Sequence, residues 1–151
     1  MLFACVWLLV LTACGSGDQA PQALVYGQEP YLRYCASCHG NQGQGKAPTF
    51  PPLANSQWLD LGSDALGLIV LYGLKGEIEV AGRTYRGYMP PMQHISDQDI
   101  AALLTYIQSD WAGSTQTVDS SHIARLRSVF AEPRPPLDGM SGLMEALETV
   151  Q

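Results

Sequence analysis

Basic residues are scarce. Eight Lys and Arg stand against fourteen Asp and Glu among 151 residues, a formal charge of -6. That balance excludes general nucleic-acid binding, because neutralising phosphates takes Lys and Arg, and it favours basic protein partners instead. Charge of either sign is low, 15% against 46% apolar residues, which excludes wholesale disorder and leaves enough material for a core. No apolar run reaches the roughly 20 residues that cross a bilayer, so no transmembrane helix is expected. No internal repeat is present, and the length suits one domain of ordinary size. Histidine is limited to three positions and cysteine to four, enough for two disulfides or for something else.

Two cysteines leave that count at the N-terminus. Leu2 to Ala13 is apolar except for Thr12, the length of a signal-peptide h-region. It ends Leu11-Thr12-Ala13-Cys14 and is followed by Gly15-Ser16-Gly17. The pattern resembles a bacterial lipoprotein signal, in which small residues precede a cysteine that becomes the lipid-bearing N-terminus. Residues 1–13 are therefore expected to be a signal and 14–26 a flexible tether, with Cys14 lipidated and Cys5 discarded. Acylation there with two or more chains gives firm membrane attachment. Met1 alone precedes the apolar run, without the usual positive flank, which leaves open a start upstream.

The next segments read in order. Gln28-Glu29-Pro30 opens a helix toward Cys35, with Pro in its first turn. Asn41 to Pro52 is punctuated by glycine and proline and is expected to be a loop. Ser63 is read as the N-cap of a helix ending near Gly73. Ile78 and Val80 alternate with glutamates before Ala81-Gly82, which predicts a short β-ribbon with Tyr85 on its return. Ser96-Asp97-Gln98-Asp99 is a capping pattern, and Ile100, Leu103, Leu104 and Ile107 fall on one helical face ended by Gly113. Beyond it, Ile123, Leu126 and Phe130 suit a short amphipathic helix stopped by Pro133 to Pro136. A last helix is expected over Met140 to Val150.

The chemistry concentrates in Tyr34-Cys35-Ala36-Ser37-Cys38-His39-Gly40. Two thiols three residues apart on a helical turn share a side and can each add to a vinyl group of one porphyrin edge. The next residue then supplies an imidazole axial ligand. At this composition the C-x-x-C-H pattern arises by chance roughly twice in a thousand such chains. A redox dithiol favours a βαβ context that is absent. Zinc needs two further ligands, and a disulfide across so tight a loop constrains little.

Over about Gly27 to Gly113 the chain resembles a class I monohaem cytochrome c. The likeness rests on that motif, then Pro51-Pro52-Leu53, then Tyr88-Met89-Pro90-Pro91-Met92, then the helix from Ser96 to Trp111. It implies an all-α fold packed around one covalent haem c, with the β-ribbon before the methionine loop. It implies that Cys35 and Cys38 attach the haem and that the Pro51 carbonyl accepts from His39, one axial ligand. Met89, with the following proline, would be the other axial ligand, and Met92 is the alternative. Asn55 stands where relatives often carry Gly, a mild departure because Asn tolerates left-handed backbone.

Other candidates carry plainer readings. Trp58, Arg83 and Arg86 are candidates to bond the haem propionates, against solvated arginines. His94 reads as a loop surface residue, His122 as helix surface, and Tyr106 and Trp111 as core or haem-packing aromatics. The expected function is single-electron transfer by an extracytoplasmic, lipid-anchored carrier that is not itself an enzyme, with redox partners bearing basic docking patches. The alternative is a permanent haem subunit of a dehydrogenase, reductase or oxidase, the extension 114–151 being its docking arm. A haem enzyme or gas sensor with a labile sixth ligand is the remaining reading.

Overall fold

A computed structural model of the chain describes residues 22–130 and 134–150. The expected signal over 1–13, Cys14 and the first part of the tether lie outside the described residues. Six helices are described: α1 Gln22–Tyr34, α2 Ala36–His39, α3 Gly62–Tyr72, α4 Asp97–Ala112, α5 Ser120–Ser128 and α6 Gly139–Val150. Three strands accompany them: β1 Leu74–Val80, β2 Arg83–Met89 and β3 Leu137–Asp138.

The pair α1 and α4 forms the frame. Helix α4 starts as the capping pattern predicts, with Ser96 Oγ accepting from the Asp99 amide at 3.1 Å, and stops where Gly113 turns left-handed. Its predicted stripe is buried, Ile100 and Leu103 completely. Against it α1 crosses closely at Gly27, where a Cβ would sit 2.8 Å from Tyr106 Cβ, closer than packed carbons approach. Helix α1 begins earlier than the Gln28-Glu29-Pro30 signal suggests, at Gln22, and Pro30 lies inside it. Pro30 removes one amide from the helix ladder, but its buried position against the core compensates locally.

The start of α3 also differs from expectation. Ser63 is not its N-cap: a 3-10 turn, Gln57–Leu61, runs straight into the helix, and Ser56 Oγ caps that turn by accepting from Trp58. Ser63 instead donates to Gln108 Oε1 on α4 at 3.1 Å. Helix α3 is apolar almost all round, and residues Ala65 through Tyr72 are buried, so it is the central element.

The predicted ribbon is present and longer than the alternation indicates. Strands β1 and β2 pair antiparallel over their full lengths, from Leu74 opposite Met89 to Val80 opposite Arg83. The connecting Ala81 and Gly82 have φ of 50° and 71°, the two positive values that match the twist of a two-residue hairpin. Strand β3 adds to β1 in parallel, giving the order β2-β1-β3. The fold is thus mostly helical with one small sheet.

The segment after Gly113 is folded into the same core. Ile123 and Leu126 of α5, Leu137 of β3, and Leu143 and Ala146 of α6 are each at most 1% exposed. Tyr72 on α3 donates its hydroxyl toward the Leu126 and Arg127 carbonyls at the end of α5.

Candidate functional site

The motif sits where α1 ends. The Cys35 amide bonds the Tyr31 carbonyl at 2.9 Å, and the amides of Cys38 and His39 both return to the Cys35 carbonyl at 3.1 and 2.9 Å. This turn, α2, puts the two cysteines on consecutive ends of one helical step. Both are free thiols and half-buried. Burial, with Cys38 beside it, pushes the Cys35 thiol up to about 12, so it is protonated at neutral pH. Buried Ala36 puts no bulk between them.

His39 is aimed by the loop that follows. Its Nδ1 lies 2.9 Å from the Pro51 carbonyl. A carbonyl can only accept, so Nδ1 carries the hydrogen and the Nε2 lone pair is left available. Burial holds the imidazole below its ordinary pKa, which favours the neutral, ligating form, and the Pro51 bond opposes that only partly. Three backbone bonds fix the loop: Gly45 to the His39 carbonyl at 2.7 Å, and Leu53 and Ala54 to the Gly43 carbonyl at 2.7 and 2.9 Å. Tyr31, completely buried, donates to the Gly40 carbonyl at 2.5 Å and ties the end of the motif to α1. Lys46 Nζ caps the exposed side of the turn through the Ser37 carbonyl at 2.5 Å. Asn55 takes φ of 60°, the left-handed backbone expected of it.

The methionines lie on a second segment. Met89 is the last residue of β2, paired with Leu74, and the Met92 amide donates to the Val70 carbonyl on α3 at 2.9 Å. Both side chains are half-buried against the core. Gly73 makes the crossing possible: at its φ of 74° a Cβ would stand 2.5 Å from the Met89 carbonyl oxygen. Arg127, from α5, reaches across the same loop. Its guanidinium donates to the carbonyls of Gln93 at 2.7 Å and Ile95 at 2.9 Å, and to Asp97 Oδ1 at 2.8 Å.

Sequence reasoning missed Arg127, Tyr31 and Gly73 as members of this site. Gly73 is visible in the sequence only as a helix end. Arg127 has no local signal, because its partners lie about thirty residues away.

Several secondary candidates are engaged elsewhere. The Trp58 indole N–H donates to the Glu79 carbonyl at 2.8 Å, which spends the donor suggested for a propionate. Arg86 pairs with Glu77 across the ribbon at 2.5 Å, and Arg83 is exposed at its turn end. His94 is exposed, with its ring edge-on to Tyr34. His122 is not simply solvated helix surface. Its Nε2 stands 2.9 Å from Asp64 Oδ1, and its Nδ1 is 3.0 Å from the Arg125 guanidinium, which brings α5 to α3. Tyr106 and Trp111 form an aromatic cluster with Tyr31, rings 5.0 to 5.7 Å apart.

The donor set suits a porphyrin held by thioether bonds. It offers two thiols one turn apart, an imidazole with its tautomer pinned, and half-buried thioethers on a second segment. Among the described residues no group of three or more His, Cys, Asp or Glu side chains is gathered as a bare metal site would require.

Comparison with known proteins agrees. The family described as Cytochrome c matches residues 24–111. Cytochrome c-552 of Thermus thermophilus is 41% identical over 97 residues, spanning 62% of this chain and 70% of that protein. A second cytochrome c-552 sequence from the same species has the same identity, and the match spans 62% of its length. The cytochrome c subunit of a quinone alcohol dehydrogenase from Gluconobacter oxydans is 31% identical over 108 residues, 70% of this chain but only 22% of that subunit.

Proposed function

The chain belongs to the cytochrome c family and carries electrons on covalently bound haem c; from that premise we propose a specific ligand set, a membrane tether and a mode of docking. Cys35 and Cys38 would hold the porphyrin edge through thioether bonds, and His39 Nε2 would be one donor to the iron. Met89 supplies the other, with Met92 its competitor on the same loop. When bound, the haem supplies a one-electron couple; the protein supplies its surroundings.

The residues divide that work. Pro51 orients His39 by accepting from Nδ1, which keeps the lone pair directed and the imidazole basic. A thioether favours the ferrous state over a second imidazole and so raises the potential. Held there, it would also deny oxygen and peroxide a place on the iron. The reading is carried by one observation: the 2.9 Å contact to Pro51 from His39, which directly follows the second of two free half-buried cysteines.

The carrier works outside the cytoplasm, tethered by lipid on Cys14. Among the described residues no helix is long and apolar enough to cross a membrane. Its redox partners present basic patches to its acidic surface. Haem staining of a denaturing gel, with Met89→Ala and Met92→Ala spectra beside it, tests the core of this reading. Stain that survives Cys35→Ala/Cys38→Ala, or a sulfur-to-iron charge-transfer band unaffected by Met89→Ala, would overturn it. For the tether, Cys14→Ser is expected to move the protein from the membrane to the soluble fraction.

A second reading, the haem subunit of a permanent dehydrogenase complex, is favoured by the similarity to the Gluconobacter subunit. Native purification from mild detergent separates the two. A dehydrogenase that stays bound through gel filtration supports the subunit, and a monomeric haem protein supports the shuttle.

A further inference from the structure

Segment 90–96 carries the methionine side of the site, yet it has no regular structure of its own. Its backbone is held at few points. Met92 donates to Val70 on α3, and Ile95 donates back to the Met92 carbonyl at 3.0 Å. Two further carbonyls of the segment are gathered by one side chain. Arg127 donates Nη1 to Gln93 and Nη2 to Ile95, while Nε bonds Asp97, the first residue of α4. A second contact from Nη2 to the same Asp97 oxygen is 2.7 Å. A planar fork suits this task, because it bonds two carbonyls and a carboxylate without rearranging. The backbone that carries the guanidinium is itself anchored, since Tyr72 of α3 holds the carbonyls of Leu126 and Arg127. Arg127 also lies beyond the residues the family shares, 24–111.

We propose that Arg127 is a positioning residue for the axial methionine: it locks the loop after Met89 against α3 and α4, and so limits how often the thioether leaves the iron. This rests on the reading that a methionine of this loop is the sixth ligand. Thioether ligation is weak enough that loop opening governs access to the iron. Removing the fork raises the open population without touching either methionine.

Holoprotein variants test it. Arg127→Gln is expected to bind carbon monoxide in the reduced state about tenfold or more faster, as loss of charge-assisted bonds implies. Its sulfur-to-iron band weakens at lower temperature, and its potential falls. Amide exchange at Met92 and Ile95 accelerates. Arg127→Lys, which keeps the charge but cannot bond both carbonyls, falls between. Leu126→Ala is the control, because it weakens α5 through a buried apolar side chain and makes no contact of the Arg127 kind with the loop. If Leu126→Ala, matched in stability, shows the same gain in carbon monoxide binding and loop exchange, Arg127 acts only through general stability and the proposal fails. Parent protein without the sulfur-to-iron band overturns the ligand reading itself, and the Arg127 role with it.

Discussion

Tyr31 is the residue on which burial, hydrogen bonding and the haem motif meet. Its hydroxyl donates to the Gly40 carbonyl, one residue past His39, and its ring packs edge-on to Trp111. Burial first, then the nearby Cys35, raises the phenol above its ordinary value of 10.0. A raised folded-state value means stability that is complete below the unfolded pKa of about 10 and is lost as pH climbs toward the folded one. Tyr31→Phe should cost about 1 kcal/mol at neutral pH, at the low end because Gly43 also bonds the Gly40 carbonyl. Above pH 10 the two proteins should converge, since only the parent has a phenol at position 31 to ionise. Urea midpoints between neutral pH and pH 11 check this, and parallel curves would remove Tyr31 from the account. Legibility at this scale follows distance along the chain. Cys35, Cys38 and His39 are contiguous and announce themselves; Pro51 needs a family likeness; Arg127 and Tyr31 act through carbonyls, which no side-chain pattern marks.

The elements divide in the same way. Helix α4 is readable end to end because its cap, its apolar stripe and its Gly113 stop are all local. The start of α3 is not, since the capping serine belongs to a 3-10 turn that the helix continues. A two-residue strand such as β3 has no periodicity to read, and it exists because β1 offers an edge beside Gly73, whose carbonyl takes the Leu137 amide at 3.1 Å. The extension after Gly113, which composition leaves without a role, contributes buried side chains to the core around α3. Leu143 is fully buried on α6. Leu143→Ala should therefore cost about 2–5 kcal/mol, a large share of a small domain's stability. Far-UV ellipticity and haem absorbance should move together in one urea transition, displaced to lower concentration. Two separated transitions would instead make the extension an independent arm, as the docking-arm expectation had it.

For the whole molecule the scarcity of basic residues turns out to be sharper than the composition states. Four of the eight, Arg33, Lys75, Arg86 and Arg127, are already paired with carboxylates. Arg33, Lys75 and Arg86 sit at exposed pairs, where neighbouring opposite charges cancel each other's field beyond a few ångströms. The field left over at partner distance is acidic, and the two haem propionates add to it. A basic partner is steered toward such a surface, and an acidic one is repelled. Electron-transfer rates with a basic acceptor should fall at least about threefold between ~10 mM and ~150 mM ionic strength, because the Debye length shrinks from about 30 Å to about 8 Å. Neutralising Glu145 and Glu148, exposed on α6, should flatten that slope only if docking uses the face formed by the C-terminal helix. Glu77→Gln on the ribbon, which frees Arg86 and so lowers the net negative charge beside β2, asks the same of the other face. Stopped-flow rates against salt for the parent and the two variants decide between the faces, and a flat profile for the parent would exclude electrostatic steering altogether.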